Sequence, residues 1–408
     1  MDTGGNYAIP FNVNNIQANS LFLLSSGVIN SIMTNKYSLK RGIEQIMKER
    51  VFNFYPGPAT LPLPVLEAAR DELLNFKSTG MSVMEISHRS KQYETLQNET
   101  EARLKRLLNL GENYKVLFLQ GGASSQFSMV PMNFLSPDTT ADYLITGSFA
   151  EKAYKEAKFF GKVHAAMNMS EDQYRRLPNQ DEIKLSTAPL YVHLTSNNTI
   201  YGTQWKTFPE LGDIPLVADM SSDILARPFN AKQFGLIYAG AQKNLGPAGV
   251  TIVIIREDML AQAKTDLPTM FSYKTHAKKN SLYNTPPTFP IYMVSLVLNW
   301  LEDLGGLEEI EKMNQKKAAL IYNEIDNSGG FYQGHAEKNS RSLMNVTFRL
   351  PNEELDAKFI QEATKEGLVG LKGHRSVGGL RASIYNAMSY DGCNALAGFM
   401  KHFKEQNG

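Results

Sequence analysis

From residue 64 onward, short apolar runs recur between segments of helical spacing, and that alternation restricts the chain to few folds. The runs at 116–119, 143–146, 190–194, 216–219, 236–239 and 250–256 are apolar through most of their length rather than alternating. Such strands are buried on both faces, and the helical segments between them, such as 124–134 and 149–160, would supply the cover. The pattern predicts an α/β fold with a mainly parallel sheet. Two helices are expected ahead of the first strand, over 64–76 and 91–110. Pro64 suits a first helical turn and Gly111 a stop.

The texture changes after Pro290. A helical stretch over 290–326 is broken at Gly305-Gly306. A strand at 344–350, a helix at 353–366, a strand at 380–383 and a helix at 392–405 follow. The expected organisation is a large domain over 51–300, with its N-terminal segment reaching the functional site, and a smaller α+β domain over 301–408. Residues 1–47 are rich in Asn, Ser and Gly and show no sustained period before a basic stretch at 36–48. They are expected to be disordered or to lie outside the native fold, and to be dispensable.

Composition removes several functions. The 408 residues carry a formal charge of +1, so no overall field draws nucleic acid or an anionic membrane. Cys393 is the single cysteine, which leaves neither a disulfide framework nor a Cys-rich metal site, and no metal is expected. No run reaches the roughly 18 apolar residues of a membrane span, and the N-terminus lacks a signal-peptide pattern. A cytoplasmic location is expected.

Functional groups of parallel sheets gather where strands end. The run 116–119 leads into Gln120-Gly-Gly-Ala-Ser-Ser125 and then a helix, a small-residue turn that could bind an anion on free N–H groups. It is neither a dinucleotide fingerprint nor a P-loop, and an ordinary strand-to-helix turn explains it equally well. The run 216–219 ends on Asp219, a carboxylate that needs a partner if buried. The run 236–239 leads through Gly240-Ala-Gln242 to Lys243 and a glycine-rich turn. Singly, Lys243 reads as a solvated loop residue. Jointly, an acid, a lysine and an anion cradle are what pyridoxal phosphate requires: a partner for the pyridine nitrogen, a Schiff-base amine and a phosphate seat.

Longer blocks sharpen this reading. Asn53-Phe-Tyr-Pro-Gly57-Pro-Ala59, Met84-Glu-Ile-Ser-His88-Arg89, Ala218-Asp219-Met-Ser-Ser222, Tyr238-Ala-Gly-Ala-Gln242-Lys243-Asn-Leu-Gly246, Asn284-Thr285-Pro-Pro-Thr288 and Lys372-Gly-His374-Arg375-Ser-Val-Gly-Gly-Leu-Arg381 stand in order along the chain. In these blocks the sequence resembles the phosphoserine aminotransferase family, in the class V group of fold-type I pyridoxal-phosphate enzymes. The resemblance runs from about Phe52 to the C-terminus and does not touch residues 1–47. It implies Lys243 as the Schiff-base lysine and Asp219 as the pyridinium partner. It implies Phe149 stacked on the cofactor ring, although a core phenylalanine would look the same, and Thr199 near the phenolic oxygen. Ala123, Ser124 and Gln242 would hold the cofactor phosphate, joined by Asn284 and Thr285 from a second copy in a homodimer with shared active sites. Some members carry arginine where this chain has Ser124; others have Gly-Gly-Ala-Ser, as here.

On the substrate side the resemblance assigns His88, His374, Arg375 and Arg381 to the substrate phosphate, and Arg89 to its carboxylate or phosphate, partly across the dimer. The residues themselves support an anion site, because glycines let the basic stretch 372–381 fold round a ligand and arginine forks match phosphate or carboxylate. The implied reaction is ping-pong transfer between 3-phosphohydroxypyruvate and L-glutamate, giving O-phosphoserine and 2-oxoglutarate in serine biosynthesis. Whether 4-phosphohydroxythreonine, of vitamin B6 biosynthesis, is also a substrate stays open. Other functions fit less well. A cysteine desulfurase needs a mobile loop cysteine, a pyridoxal-phosphate regulator a DNA-binding module, and a nicotinamide dehydrogenase the missing fingerprint.

Overall fold

The structure, a computed structural model, describes residues 50–408; the extension expected over 1–47 lies outside them. In chain order the elements begin with β1 (Phe52–Asn53), α1 (Leu63–Glu72), α2 (Lys91–Leu107), β2 (Tyr114–Leu119), α3 (Gly122–Phe134), β3 (Thr140–Ile145) and α4 (Ser148–Ala157). They continue with β4 (Lys162–Asn168), β5 (Val192–Thr195), β6 (Asn197–Asn198), β7 (Thr203–Gln204), β8 (Leu216–Asp219), β9 (Phe234–Gly240) and β10 (Thr251–Arg256). Then follow α5 (Glu257–Gln262), α6 (Tyr273–Lys278), α7 (Thr288–Asp303), α8 (Leu307–Asp326), β11 (Gln333–Gly334), β12 (Asn345–Arg349), α9 (Glu353–Lys365), β13 (Leu368–Val369), β14 (Leu380–Ser383) and α10 (Tyr390–Asn407).

The large sheet has the order β2-β10-β9-β8-β5-β3-β4. Strand β10 runs antiparallel to β2 and β9, and every other neighbouring pair is parallel. Because β10 alone is reversed, β2, β3, β5, β8 and β9 all end on the same edge. Both faces are buried: Val192, Ala218, Ile237 and Ile252 belong to one core, Tyr143, Val217, Tyr238 and Val253 to the other. That explains the unbroken apolar runs, since neither face meets water. The expected strands are all present. Strand β4 is an addition. Its exposed and half-buried residues lie at the sheet edge against β3, where one side needs no partner, so no apolar run announces it.

The C-terminal elements build a second core. Strands β11, β12 and β14 form an antiparallel sheet, and α8, α9 and α10 pack with it through Ile321, Phe348, Phe359, Leu396 and Phe403. Strand β1 pairs in parallel with β13, and Phe54 enters this core rather than that of the large sheet. The expected break at Gly305-Gly306 is real, both residues having positive φ between α7 and α8. The first helix is shorter than expected; it ends at Glu72, and Phe76–Ser78 forms a separate turn with Lys77 and Ser78 at positive φ. Among the described residues no helix is long and apolar enough to cross a membrane.

Candidate active site

The carboxyl edge of the large sheet opens on a cavity of about 290 Å³. Five strand ends feed it. The turn after β2 gives Gly122, Ala123 and Ser124, and that after β3 gives Phe149. Thr195, Asn197 and Thr199 follow from β5, Asp219, Ser221 and Ser222 from β8, and Gln242 and Lys243 from β9. Gly57 approaches from the N-terminal side, and His374 and Arg381 from the C-terminal elements. A roomier groove of about 570 Å³ lies along α9 and α10, but its Lys365, Glu366 and His402 stand in solvent and no anion cradle borders it.

Lys243 is the centre of the charge pattern. Its Nζ donates to Thr199 Oγ1 at 2.8 Å and lies 5.4 Å from the centroid of the Phe149 ring. The side chain is only partly covered, because the cavity reaches it, yet it lies deep enough for burial to lower its pKa to about 8. Asp219 opposes that shift, and the neighbouring Arg381 adds to it. Asp219 is itself buried, and burial raises its pKa, against hydrogen bonds from Ser221 and the charge of Lys243. Ser221 N at 2.9 Å and Ser221 Oγ at 2.6 Å both donate to Oδ1. Oδ2 receives no bond from the described residues.

Opposite this pair is an anion cradle. Gly121 and Gly122 have φ of 91° and 67°, and a Cβ on Gly121 would stand 2.1 Å from Ser125 Oγ, so the turn into α3 requires glycine. No side chain caps α3. Its first N–H groups are left for a ligand, at the end of the helix that attracts negative charge.

Arg381 brings a second anion-binding group. It is 6% exposed and donates from Nη1 to Thr199 O at 3.3 Å, but its buried Nε has no partner and no carboxylate pairs with it among the described residues. His374 Nδ1 accepts from Ser376 N at 3.2 Å, which places the proton of the neutral ring on Nε2. Burial, with Arg381, Arg375 and Lys152 nearby, lowers its pKa and favours that neutral form. Gly373 N donates to Gly379 O, and a Cβ at Gly373 would stand 2.1 Å from Gly378 O, so the basic stretch folds back on itself only with glycine there.

A lysine held against an aromatic ring, a buried acid with one free oxygen and a helix-end cradle therefore share one cavity. The comparisons with known proteins agree. Residues 51–396 match the family model described as aminotransferase class-V. The chain belongs to the class-V aminotransferases.

A phosphoserine aminotransferase of Herpetosiphon aurantiacus is 59% identical to this aminotransferase over 358 residues, covering 88% of this chain and 99% of that one. The structure of phosphoserine aminotransferase from Bacillus circulans subsp. alkalophilus superposes with a TM-score of 0.87 at 58% identity, covering 88% of this chain and all of that one. The pyridoxal-phosphate-bound phosphoserine aminotransferase of Trichomonas vaginalis gives 0.82 at 40% identity, over 86% of this chain and 100% of that one.

The residues present could hold pyridoxal phosphate. The free Oδ2 of Asp219 could take a pyridine N–H, the uncapped helix end a phosphate, and the Lys243 amine a carbonyl carbon. Of the residues picked from sequence, Ala123, Ser124, Phe149, Thr199, Asp219, Gln242, Lys243, His374 and Arg381 line the cavity. Arg375 lies on the exposed basic loop but does not line it, and neither do His88, Arg89, Asn284 and Thr285. Asn284 borders a separate cavity with Gln120, Gly121 and Ser125, and Thr285 O accepts from Gln120 Nε2 at 3.3 Å. Thr195, Asn197 and Ile200 were not picked. Only the strand end before Thr199 hinted at them.

Proposed function

We propose that this aminotransferase binds pyridoxal phosphate and exchanges the amino group of O-phosphoserine and glutamate with their keto acids, 3-phosphohydroxypyruvate and 2-oxoglutarate. The observation that carries this reading is Lys243, with its lowered pKa, set between Asp219 and Phe149 in a cavity that also holds an unpaired arginine. Close likeness to phosphoserine aminotransferases over nearly their whole length supports the choice of substrate.

When bound, pyridoxal phosphate supplies an electron sink that lets the Cα–H bond of an amino acid break. The protein does the rest. Asp219 would keep a proton on the pyridine nitrogen through Oδ2, while Ser221 holds its other oxygen. The α3 N–H groups, the Ser124 hydroxyl and Gln242 would seat the phosphate, and Phe149 would flank the ring. Lys243 Nζ would take the proton from Cα and hand it to the cofactor carbon that receives the amino group, and Thr199 fixes where that amine stands. A base must be neutral to act, and a pKa of about 8 leaves an appreciable neutral fraction near neutral pH. Recombination of the apo chain with the cofactor should accordingly speed up as pH rises through about 8 and level off above it. A flat rate between about pH 7 and 9, followed by absorbance, would contradict the assigned amine.

On the substrate side, Arg381 donates to Thr199 O and Lys243 to Thr199 Oγ1, so both cations meet at one residue and Arg381 is placed for the group nearest Cα, the α-carboxylate. This differs from the role taken from the resemblance, which puts Arg381 with the phosphate. His374 and Arg375, on the loop folded back by Gly373 and Gly379, are then left for the phosphate. The test is Arg375→Leu, which should lower kcat/KM for phosphoserine about tenfold to a hundredfold more than for serine in the half-reaction. An equal loss for both amino acids would move the phosphate elsewhere.

The family likeness supports a homodimer in which Asn284 and Thr285, and in part Arg89, reach the site of the other copy, and none of the three lines the cavity of its own copy. A cytoplasmic enzyme with a large domain that ends near 300 and a small one over 301–408, which β1 and Phe54 join, completes the proposal.

A further inference from the structure

Lys317 sits within α8, is 1% exposed, and faces no carboxylate among the described residues. Its Nζ donates to four main-chain carbonyls, those of Tyr385 at 2.8 Å, Met388 at 3.0 Å, Ile384 at 3.2 Å and Asn386 at 3.3 Å. An ammonium has three protons. Four oxygens sharing them form a coordination shell of the kind carbonyl rings offer a potassium ion. Burial lowers the Lys317 pKa to about 8, so the ammonium form still predominates at neutral pH. Cys393 on α10 faces it, but burial pushes that thiol up to about 12 and it stays uncharged. The buried cation therefore serves the carbonyls and neutralises no acid.

The segment it gathers, 384–388, follows β14 with its Arg381 and ends at Ser389, the N-cap of α10. Its main chain and side chains reach residues that border the active site. Asn386 N donates to Asn244 Oδ1 at 3.0 Å, and Asn244 adjoins Lys243. Asn386 Nδ2 donates to Leu225 O at 2.9 Å, in the turn after β8. The Tyr385 hydroxyl donates to Pro56 O at 2.7 Å, next to Gly57, and accepts from Asn345 Nδ2 at 3.2 Å. Without a central cation, four carbonyl dipoles aimed at one point would repel each other, and the loop would open.

We infer that Lys317 is a positioning residue for transamination, a built-in monovalent cation that holds 384–388 in the shape that anchors the side chain of Asn244, the residue after Lys243, and sets the Tyr385 hydroxyl against Pro56 O. The inference rests on the reading of the cavity given above.

Lys317→Met keeps most of the bulk and removes the charge. It should lower kcat/KM for phosphoserine and 2-oxoglutarate by about ten- to a hundredfold, chiefly through kcat, because the anion-binding groups stay in the chain. Lys317→Ala leaves room for an ion. Potassium or ammonium chloride at about 0.1 M should raise its Tm, with or without cofactor, and restore most of kcat. Tetramethylammonium chloride at the same ionic strength, too large for the cage, should do neither.

Parental kcat/KM in Lys317→Met overturns the inference. So does a fall in Tm with kcat intact, which would make Lys317 structural only, and so does an equal response of Lys317→Ala to all three salts. If Lys317→Ala does not fold, the kcat and Tm of Lys317→Met decide. A parental enzyme inactive on phosphoserine would instead refute the reading of the cavity, while the selective Tm response of the apo Lys317→Ala chain would still test the cage.

Discussion

Lys243→Ala should abolish multiple turnover while leaving the melting temperature of the apo chain close to that of the parent. The lysine is asked for two things, a covalent anchor for the cofactor and a proton carrier at Cα, and no neighbour can replace either. Thr199 Oγ1, at 2.8 Å, is too weakly basic, and Arg381 keeps its proton. Loss of a positioned general base alone costs about 10²- to 10⁴-fold, and loss of the anchor adds to it. The fold has little to lose. Burial already disfavours this ammonium, which is why its pKa falls to about 8, and its polar bond to Thr199 is one that water entering the cavity can replace. Steady-state turnover and a thermal melt on the same sample check both halves. Activity within about tenfold of the parent would remove Lys243 from the centre of the site.

The contrast between Lys243 and Lys317 shows how far residues can be read without coordinates. Lys317 is fully buried and Lys243 lies deep in a cavity, and both have pKa values lowered by burial. Lys243 was legible because it follows an apolar run in a glycine-rich turn, while an acid ends the neighbouring run. Lys317 was not, because Asn314-Gln-Lys-Lys317 on a helix has the look of a solvated face. Only the return of 384–388 from a distant part of the chain makes it internal.

The same distinction runs through the rest of the site. Asp219 and Thr195 are register partners on β8 and β5, so strand pairing alone makes them neighbours. Residues brought in by the C-terminal elements, such as Arg381, depend on long-range packing that no local period records, and family likeness was needed to assign them. In the sheet, core strands were visible as apolar runs. Edge strand β4 was not, since its Lys162, His164 and Asn168 satisfy no one-faced or two-faced pattern.

Asp219→Asn is expected to slow transamination by about 10²-fold or more and to loosen the cofactor. In the parent, Ser221 occupies Oδ1 from both its N–H and its hydroxyl, so the carboxylate is fixed in orientation with Oδ2 free. An asparagine could keep the Ser221 bonds on its oxygen, but it would then point an NH2 donor where an acceptor is required. It also carries no charge to hold a proton on the pyridine nitrogen, so electron withdrawal from Cα weakens. A second consequence has a definite sign. The Asp219 charge raises the pKa of Lys243 against burial, so removing it must lower that pKa further below about 8. The pH dependence of cofactor recombination should then shift to lower pH even as turnover falls. A merely structural Asp219 would lower stability and leave that profile in place. Turnover within a few-fold of the parent, with an unmoved profile, would show that the acid neither protonates the ring nor shares a field with Lys243.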